Sequence, residues 1–337
     1  MAPRKETAME WDRLKEIVRP EEVHPGVMEV DPDSCTSCGL CVDNCPFKCW
    51  EMEEGGYPEL REGYVCFSCC NCMVACPTDA ISIVDTYHVS GGFWATEPHH
   101  LPVKMPLRPR DKDGNLDEWN AVERIVLERR SVRNFKDEPV PDHLIRRVLE
   151  AGRFAPSAGN CQPWQFIVIT NKALIAKMDE AVLAMARGVW GTYKDDELVK
   201  GMGPVAESTP YAFEPRALWG GVGTIVRGKM PPSLGAPCVI LLAADARAIT
   251  GPQLNIGICG ENMNLVANSL GIRACWNGFL VSGVPAIADN IDLRPNWSVI
   301  TTLVLGWPAF KQDGIVAREY RPVMWLREGS DAVEIEE

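Results

Sequence analysis

The feature that most constrains this chain is a run of four cysteines that occurs twice near its amino terminus. Both runs have the spacing C-x2-C-x2-C-x3-C, and a proline follows the last cysteine of each. Of the 14 cysteines in the chain, ten lie between Cys35 and Cys76. Cysteines at this density and spacing indicate a metal centre rather than a disulfide scaffold.

The doubled pattern resembles that of bacterial ferredoxins, which bind two [4Fe–4S] clusters. Two-residue gaps allow three thiolates to surround one face of a cubane, whereas the fourth cysteine, beside its proline, points away and ligates the other cluster. The alternative is a pair of structural zinc sites, but zinc would need only two paired CxxC knuckles rather than two complete runs. The pattern therefore predicts two crossed quartets of ligands: Cys35, Cys38, Cys41 and Cys76 for the first cluster, and Cys66, Cys69, Cys72 and Cys45 for the second.

Residues 1–90 are predicted to form this cluster-binding, ferredoxin-like domain. Apolar residues at helical spacing between Trp11 and Val18 predict a short helix at its start. Cys49 and Cys70 fall outside both quartets. We expect both to be small buried hydrophobic residues, although either could line a cluster pocket.

Residues 91–118 are predicted to form a linker, because they are rich in proline and show no sustained period. Phe93, Trp94 and Leu101 make this segment too apolar for a free tether. We therefore expect the linker to pack along the larger domain that follows it.

A second informative stretch runs from Glu128 to Phe166. It begins with side chains suited to a phosphate, because guanidinium groups give paired, charge-assisted hydrogen bonds to phosphate oxygens: Arg129, Arg130, Ser131 and Arg133. It continues with a small-residue turn that leads to amides able to match the edge of a flat ring: Pro156, Ser157, Ala158, Asn160 and Gln162. A ligand with both parts, such as FMN, fits these motifs; the alternative is an arginine-rich helix end on a solvated surface.

The segments RRSVRNF and APSAGNCQPWQF are similar to the paired signature of the nitroreductase-like flavoproteins, over roughly the last two-thirds of the chain. The resemblance implies an α+β fold over residues 119–337, with a mixed sheet wrapped by helices, and an intertwined homodimer with FMN at the subunit interface. It implies that the phosphate is held by Arg129, Arg130, Ser131 and Arg133. It also implies that the partner subunit supplies Pro156, Ser157, Ala158 and Asn160.

Two further cofactor contacts follow from the same resemblance. A backbone N–H of Asn277 or Gly278 would donate a hydrogen bond to flavin N5, and the glycine would permit close approach of the ring. Arg318 or Arg321 would supply a last phosphate contact, and the local sequence does not decide between them.

Charge and hydropathy exclude other classes of protein. The formal net charge of −12 argues against a nucleic-acid surface, since phosphate backbones are bound by clustered cations. No apolar run reaches the roughly 20 residues that span a bilayer, and the amino terminus lacks the apolar core of a secretion signal. We therefore expect a cytoplasmic protein that binds neither nucleic acid nor membrane.

Together these features predict an enzyme, an FMN-dependent iron–sulfur oxidoreductase of an anaerobic cytoplasm. Single low-potential electrons would enter through two [4Fe–4S] clusters. Hydride transfer from flavin N5 would then reduce a small organic electrophile, such as a nitro, quinone-like or activated unsaturated compound. The expected partners are a second copy of the chain, ferredoxin or another low-potential electron donor, and the small-molecule substrate.

Three alternatives stay open. The chain could be an NAD(P)H-driven nitroreductase, a reductive dehalogenase on the same fold, or an FMN electron-transfer adaptor between protein partners. No histidine or carboxylate beside the motifs marks itself as a catalytic acid, so we nominate no catalytic side chain.

Overall fold

The structure, a computed structural model, describes residues 11–20, 22–96, 101–104, 108–311, 314–319, 323–328 and 330–334. These residues divide into two compact units. The first, named here the sheet unit, contains residues 11–20, 92–94 and 129–311; the second, the cysteine unit, contains residues 22–91 and the described residues of 95–128 and 314–334. Each unit has a hydrophobic core of its own.

The described residues form α-helices and β-strands in both units. The helices are α1 (Trp11–Val18), α2 (Leu40–Asn44), α3 (Asn71–Ala75), α4 (Ala121–Glu128), α5 (Asp142–Arg153), α6 (Lys172–Tyr193), α7 (Asp196–Lys200), α8 (Gly203–Ser208), α9 (Gly223–Val226) and α10 (Pro252–Ser269). The strands are β1 (Val23–His24), β2 (Val27–Val30), β3 (Trp50–Glu51), β4 (Glu59–Leu60), β5 (Ile81–Asp85), β6 (His88–Val89), β7 (Trp164–Ile169), β8 (Cys238–Asp245), β9 (Arg273–Trp276), β10 (Trp297–Gly306), β11 (Met324–Arg327) and β12 (Ser330–Glu334).

The sheet unit is built on a four-stranded sheet with the order β7-β8-β10-β9, in which neighbouring strands pair antiparallel. Strand β8 lies inside this sheet and is almost completely buried, which explains its continuous apolar sequence. Because successive side chains point to opposite faces, Ile240 and Leu242 join one core with α5 and α10. Val239 and Leu241 join a second core with α6.

The segment between Gly188 and Leu234 is rich in glycine, which is a weak helix former, yet much of it is helical. Helix α6 continues through Gly188 and Gly191 to Tyr193, and three short helices and a π-helical turn at Arg216–Val222 follow it. A methyl group at either glycine would meet no other side chain, so these glycines do not mark a close packing contact. Tertiary packing outweighs their weak helix propensity here.

Helix α1 packs on these short helices inside the sheet unit, although the sequence assigns it to the cluster-binding domain. Leu14, Ile17 and Val18 share a buried core with residues of α7 and α8 and with Phe213. The Arg19 guanidinium donates to the backbone oxygen of Tyr193 at 2.8 Å and pairs with Asp196. The amino-terminal helix is therefore part of the larger unit.

The linker is divided between the two units. Phe93 and Trp94 pack beside α1 in the sheet unit, where Trp94 Nε1 donates to the backbone oxygen of Ile17 at 2.8 Å. Lys104, by contrast, donates to the backbone oxygen of Met73 and pairs with Asp79 in the cysteine unit. The described linker residues are therefore shared between the two units.

The cysteine unit pairs β2 with β5 in an antiparallel ribbon and places one short helix, α2 or α3, inside each cysteine run. Its core consists largely of cysteine side chains together with Met28, Ile81 and Ile83, and Val316 and Ala317 complete it. Cys49 and Cys70 are both buried in this core, as expected. No helix among the described residues has the length and apolar character needed to cross a membrane.

Candidate functional site

The first predicted quartet lines one pocket in the cysteine unit. Its walls contain all four sulfur-bearing side chains, three from the first run and one from the end of the second, together with small residues and backbone: Cys35, Cys38, Cys41, Cys76, Thr36, Gly39, Thr78 and Ala80. Cys38 is exposed and Cys41 is buried. Burial raises the pKa of Cys41 to about 11. A bound metal would have to offset this increase in order to hold the residue as a thiolate. Four thiols around one cavity fit an iron–sulfur cluster.

The second predicted quartet lies in the core of the cysteine unit. Cys45, Cys66 and Cys72 are buried, and Cys69 is half-buried. The pKa of Cys72 is raised well above its ordinary value by burial and then by the nearby thiolates of Cys69, Cys66 and Cys45. The other three members of the proposed quartet thus act electrostatically on Cys72.

Backbone N–H groups point at several of these sulfur atoms. The donors are Ser37 to Cys35 at 3.4 Å, Cys49 to Cys45 at 3.3 Å and Ala80 to Cys76 at 3.2 Å. Such hydrogen bonds stabilise a negatively charged sulfur. Within the described residues, no three His, Cys, Asp or Glu side chains are placed to hold a single metal ion. A polynuclear cluster has a different requirement, since each of its irons takes one thiolate.

The arginine clamp, residues 129–133, lies beside strand β9 in the sheet unit. The Val132 N–H donates to the Ala274 carbonyl oxygen at 3.2 Å. The Ser131 side chain interacts with the Cys275 thiol, whose pKa is raised by burial and lowered in part by the charges of Arg133 and Arg129. The structure therefore brings the predicted phosphate clamp next to the segment that the family resemblance places under the flavin ring.

Glu261 on α10 is a member of this site that the motifs do not mark. Its carboxylate pairs with Arg129 Nε at 3.1 Å and accepts hydrogen bonds from Trp276 Nε1 at 3.2 Å and Asn264 Nδ2 at 3.1 Å. Gly260 makes this possible, because a Cβ there would collide with the Trp276 ring. Glu261 thus connects the clamp, the helix and strand β9.

Asn277 is held by buried hydrogen bonds on three sides. Its N–H donates to the Thr302 carbonyl oxygen at 2.9 Å, its carbonyl oxygen accepts from the Thr302 hydroxyl at 2.6 Å, and its side chain donates to the Pro232 carbonyl oxygen at 2.7 Å. The Asn277 N–H is therefore already hydrogen-bonded to strand β10 of the sheet. Gly278, beside which a Cβ would meet open space, is the better placed of the two predicted flavin contacts.

The small-residue turn is hydrogen-bonded within itself. The Gln162 N–H donates to Ser157 Oγ at 3.0 Å, and Gly159, Asn160 and Gln162 all have positive φ angles, of 59°, 53° and 44°. Positive φ costs little for glycine or asparagine but is uncommon for glutamine. The turn exposes Pro156 and Asn160 to solvent, with Ser157 and Ala158 half-buried between them.

The structure describes one of the two residues that were predicted to supply a last phosphate contact. Arg318 belongs to the cysteine unit, where its backbone pairs with Val103 through two hydrogen bonds of 3.0 Å. Its charge acts on the nearby Cys70, whose pKa burial raises to about 12. Arg321 lies outside the described residues.

Two different family models match two separate parts of the chain. The nitroreductase family model matches residues 126–307, and a 4Fe-4S binding domain model matches residues 28–51. A protein of Methanothermobacter thermautotrophicus, provisionally named NADH dehydrogenase/NAD(P)H nitroreductase, is 26% identical over 221 residues, which cover 64% of this chain and 88% of that protein. A nitrobenzene nitroreductase of Ectopseudomonas oleovorans is 25% identical over 202 residues, 55% of this chain and 86% of that protein. A solved nitroreductase with bound FMN from Desulfitobacterium hafniense is 23% identical, with a TM-score of 0.45, and the match covers 59% of this chain and 95% of that one.

A family model that matches more than half of the chain defines its class: the chain belongs to the nitroreductase family. It is an oxidoreductase of that family which also carries a 4Fe-4S binding domain near its amino terminus. The predicted α+β class and the predicted combination of the two domain types are confirmed.

Proposed function

We propose that this chain is an FMN-dependent oxidoreductase that takes low-potential single electrons through two [4Fe–4S] clusters and reduces a small organic electrophile. The observation that carries the proposal is the pocket lined by Cys35, Cys38, Cys41 and Cys76. A nitroreductase that receives both electrons directly from a nicotinamide has no need of this site. The proposed organisation is a ferredoxin-like domain within residues 1–90, a linker at 91–118 and the nitroreductase domain at 119–337.

The clusters would be held by the two crossed quartets, and bound clusters would supply electrons one at a time. The protein contributes thiolates and the backbone N–H donors that point at Cys35, Cys45 and Cys76. These donors stabilise negative charge on sulfur without adding a titrating group. The surrounding apolar core shields Cys45, Cys66 and Cys72 of the second quartet from water.

The FMN phosphate would be held by Arg129, Arg130, Ser131 and Arg133, of which Arg130 is buried. Bound FMN would supply two-electron chemistry at its ring. The donor set fits a phosphate, because guanidinium and hydroxyl groups converge beside β9. Gly278 offers open space for a flat ring. The bound FMN of the Desulfitobacterium hafniense relative supports this choice of cofactor. Arg318 and Arg321 remain proposed phosphate contacts.

A second copy of the chain would complete the flavin site. The solvent-exposed turn at Pro156–Asn160 is the proposed contribution of one subunit to the site of the other. Helix α4, which precedes the clamp, has no buried residue in the single chain, and its Val122 and Val126 are 68% and 50% exposed. Apolar side chains this exposed are typical of a surface that a partner covers.

Direct NAD(P)H-driven reduction of the substrate is the second candidate function. It is favoured by the name of the Methanothermobacter thermautotrophicus relative, which includes NAD(P)H nitroreductase activity. In that case the clusters would take no part in turnover.

Anaerobic reduction of the purified full-length protein distinguishes the two routes. Reduced ferredoxin and NADH are supplied in separate runs, and the cluster and flavin absorbance bands are followed separately. We expect ferredoxin to reduce the clusters first and the flavin afterwards, and we expect NADH to be slow with both. A Cys38→Ala variant, which keeps the clamp intact, should bind FMN but lose flavin reduction by ferredoxin. Fast flavin reduction by NADH, with clusters that never change, would contradict the proposal.

A further inference from the structure

The two cysteine runs are copies of one backbone design. Each ligand of the first run has its counterpart 31 residues later in the second. The unusual backbone positions repeat at the same offset: Ser37 and Ser68 both have φ of 53°, and Lys48 and Asp79 have φ of 53° and 55°. Differences between equivalent positions are therefore differences of side chain, not of chain path.

One such difference lies four residues after the last cysteine of each run, where Cys49 in the first copy corresponds to Ala80 in the second. In both copies the backbone N–H at this position donates to the last cysteine, from Cys49 to Cys45 at 3.3 Å and from Ala80 to Cys76 at 3.2 Å. The backbone contribution is thus matched. What the first copy adds is the Cys49 thiol.

The Cys49 thiol is placed among ligand sulfurs of a single quartet. It is 2% exposed and shares a buried core with Cys45 and Cys66. Its backbone N–H donates to Cys45 Sγ at 3.3 Å, and its Sγ lies 3.3 Å from the carbonyl oxygen of Val65, the residue before Cys66. Beside this geometry, its side chain acts on the thiols of both cysteines. Both belong to the second quartet. Ala80 lines the pocket of the first quartet but brings no donor beyond its backbone.

We propose that Cys49 is a positioning residue whose thiol donates a hydrogen bond to a ligand sulfur of the second cluster and thereby raises that cluster's reduction potential. The inference rests on the proposed function, in that it assumes a cluster on Cys66, Cys69, Cys72 and Cys45. Reduction adds negative charge to the cluster, and hydrogen bonds to its sulfur atoms stabilise that charge.

The thiol has one proton and three neighbouring acceptors. The third is the Val65 carbonyl oxygen, to which Cys49 Sγ donates at 3.3 Å. A hydrogen bond to a charged acceptor is about twice as strong as one to a neutral acceptor. A ligand thiolate that gains charge on reduction therefore competes best for the proton when the cluster is reduced, and this difference between the two redox states shifts the potential.

The test is an anaerobic redox titration of the loaded full-length protein, followed by electron paramagnetic resonance. Cys49→Ala gives the first copy the residue that the second copy has naturally. We expect one of two midpoint potentials to fall, with a reduced-to-oxidised ratio about tenfold lower at a fixed ambient potential, or about 59 mV for a one-electron couple. The other potential should not move. Cys49→Ser retains a hydroxyl donor and should restore the shifted potential at least in part.

The outcomes separate this inference from the function on which it rests. If wild-type protein holds fewer than two clusters by iron and sulfide content, the two-cluster function fails before the variants are considered. If both clusters are present and Cys49→Ala leaves both potentials unchanged, the role of Cys49 is wrong. If alanine and serine lower the potential equally, packing rather than hydrogen bonding is responsible, and the proposal is again overturned.

Discussion

The two candidate sites of this chain are built in different ways. All proposed cluster ligands lie between Cys35 and Cys76, and the chain repeats one short design to supply them. The clamp instead depends on distant parts of the sequence: Arg129 pairs with Glu261 on α10, and Glu261 accepts a hydrogen bond from Trp276 at the end of β9. A cluster needs each of its four thiolates, whereas cations around a phosphate contribute separately. Substitutions should therefore act in an all-or-none manner at the first site and gradually at the second.

The largest effect is expected at the quartets. Cys38→Ala and Cys72→Ala each remove one thiolate, and each should abolish one whole cluster, which lowers the iron content by about four atoms per chain. Because Cys72 is buried and Cys38 is exposed, Cys72→Ala should also lower the thermal stability of the cysteine unit more. Iron and sulfide assays with thermal unfolding measure both effects. Partial occupancy of both clusters in either variant would contradict the expectation that cysteine substitutions remove one cluster completely and leave the other intact.

A graded effect is expected at the clamp. Arg129→Ala removes a charge-assisted contact worth about 1.5–3 kcal/mol, so the Kd for FMN should rise about 10- to 150-fold. The iron content should not change. Arg153→Ala is the matched control, since that arginine pairs with Glu150 on the exposed surface of α5. Fluorescence titration of apoprotein with FMN measures the Kd. Complete loss of FMN binding would show that the clamp also behaves in an all-or-none manner.

The two sites also differ in how far the sequence predicts them. Cluster spacing is local, so the two quartets can be proposed from the spacing of the cysteines alone. Arg129 is marked by its motif, but Glu261 is not, because α10 reaches it only through the packing of Gly260 against Trp276. Cys49 was expected to be buried and is, yet its contact with ligand sulfurs depends on the crossing of the two runs.

A smaller effect is expected from transferring the side-chain difference between the two copies. Ala80→Cys places a thiol at the position equivalent to Cys49, next to the pocket of the first quartet. If thiol donation sets the potential, the midpoint that does not move in Cys49→Ala should rise in this variant, by up to about tenfold in the redox ratio, or 59 mV. Ala80→Val, which adds bulk without a donor, is the control. Equal shifts in both variants would assign the effect to packing.

The smallest effect is expected at Glu261, which contacts the proposed phosphate clamp without being part of it. Its carboxylate pairs with Arg129 through Nε and so orients the guanidinium group. Glu261→Gln keeps a hydrogen-bond acceptor for Trp276 and Asn264 but removes the charge that orients Arg129. Because the carboxylate is partly exposed, solvent screening limits its contribution to about 0.5–1 kcal/mol, and the Kd for FMN should rise about two- to fivefold. In an Arg129→Ala background the same change should have no further effect, since the two residues would act through one contact. Additive losses in the double variant would mean that Glu261 supports the flavin site by another route, through Trp276 and β9.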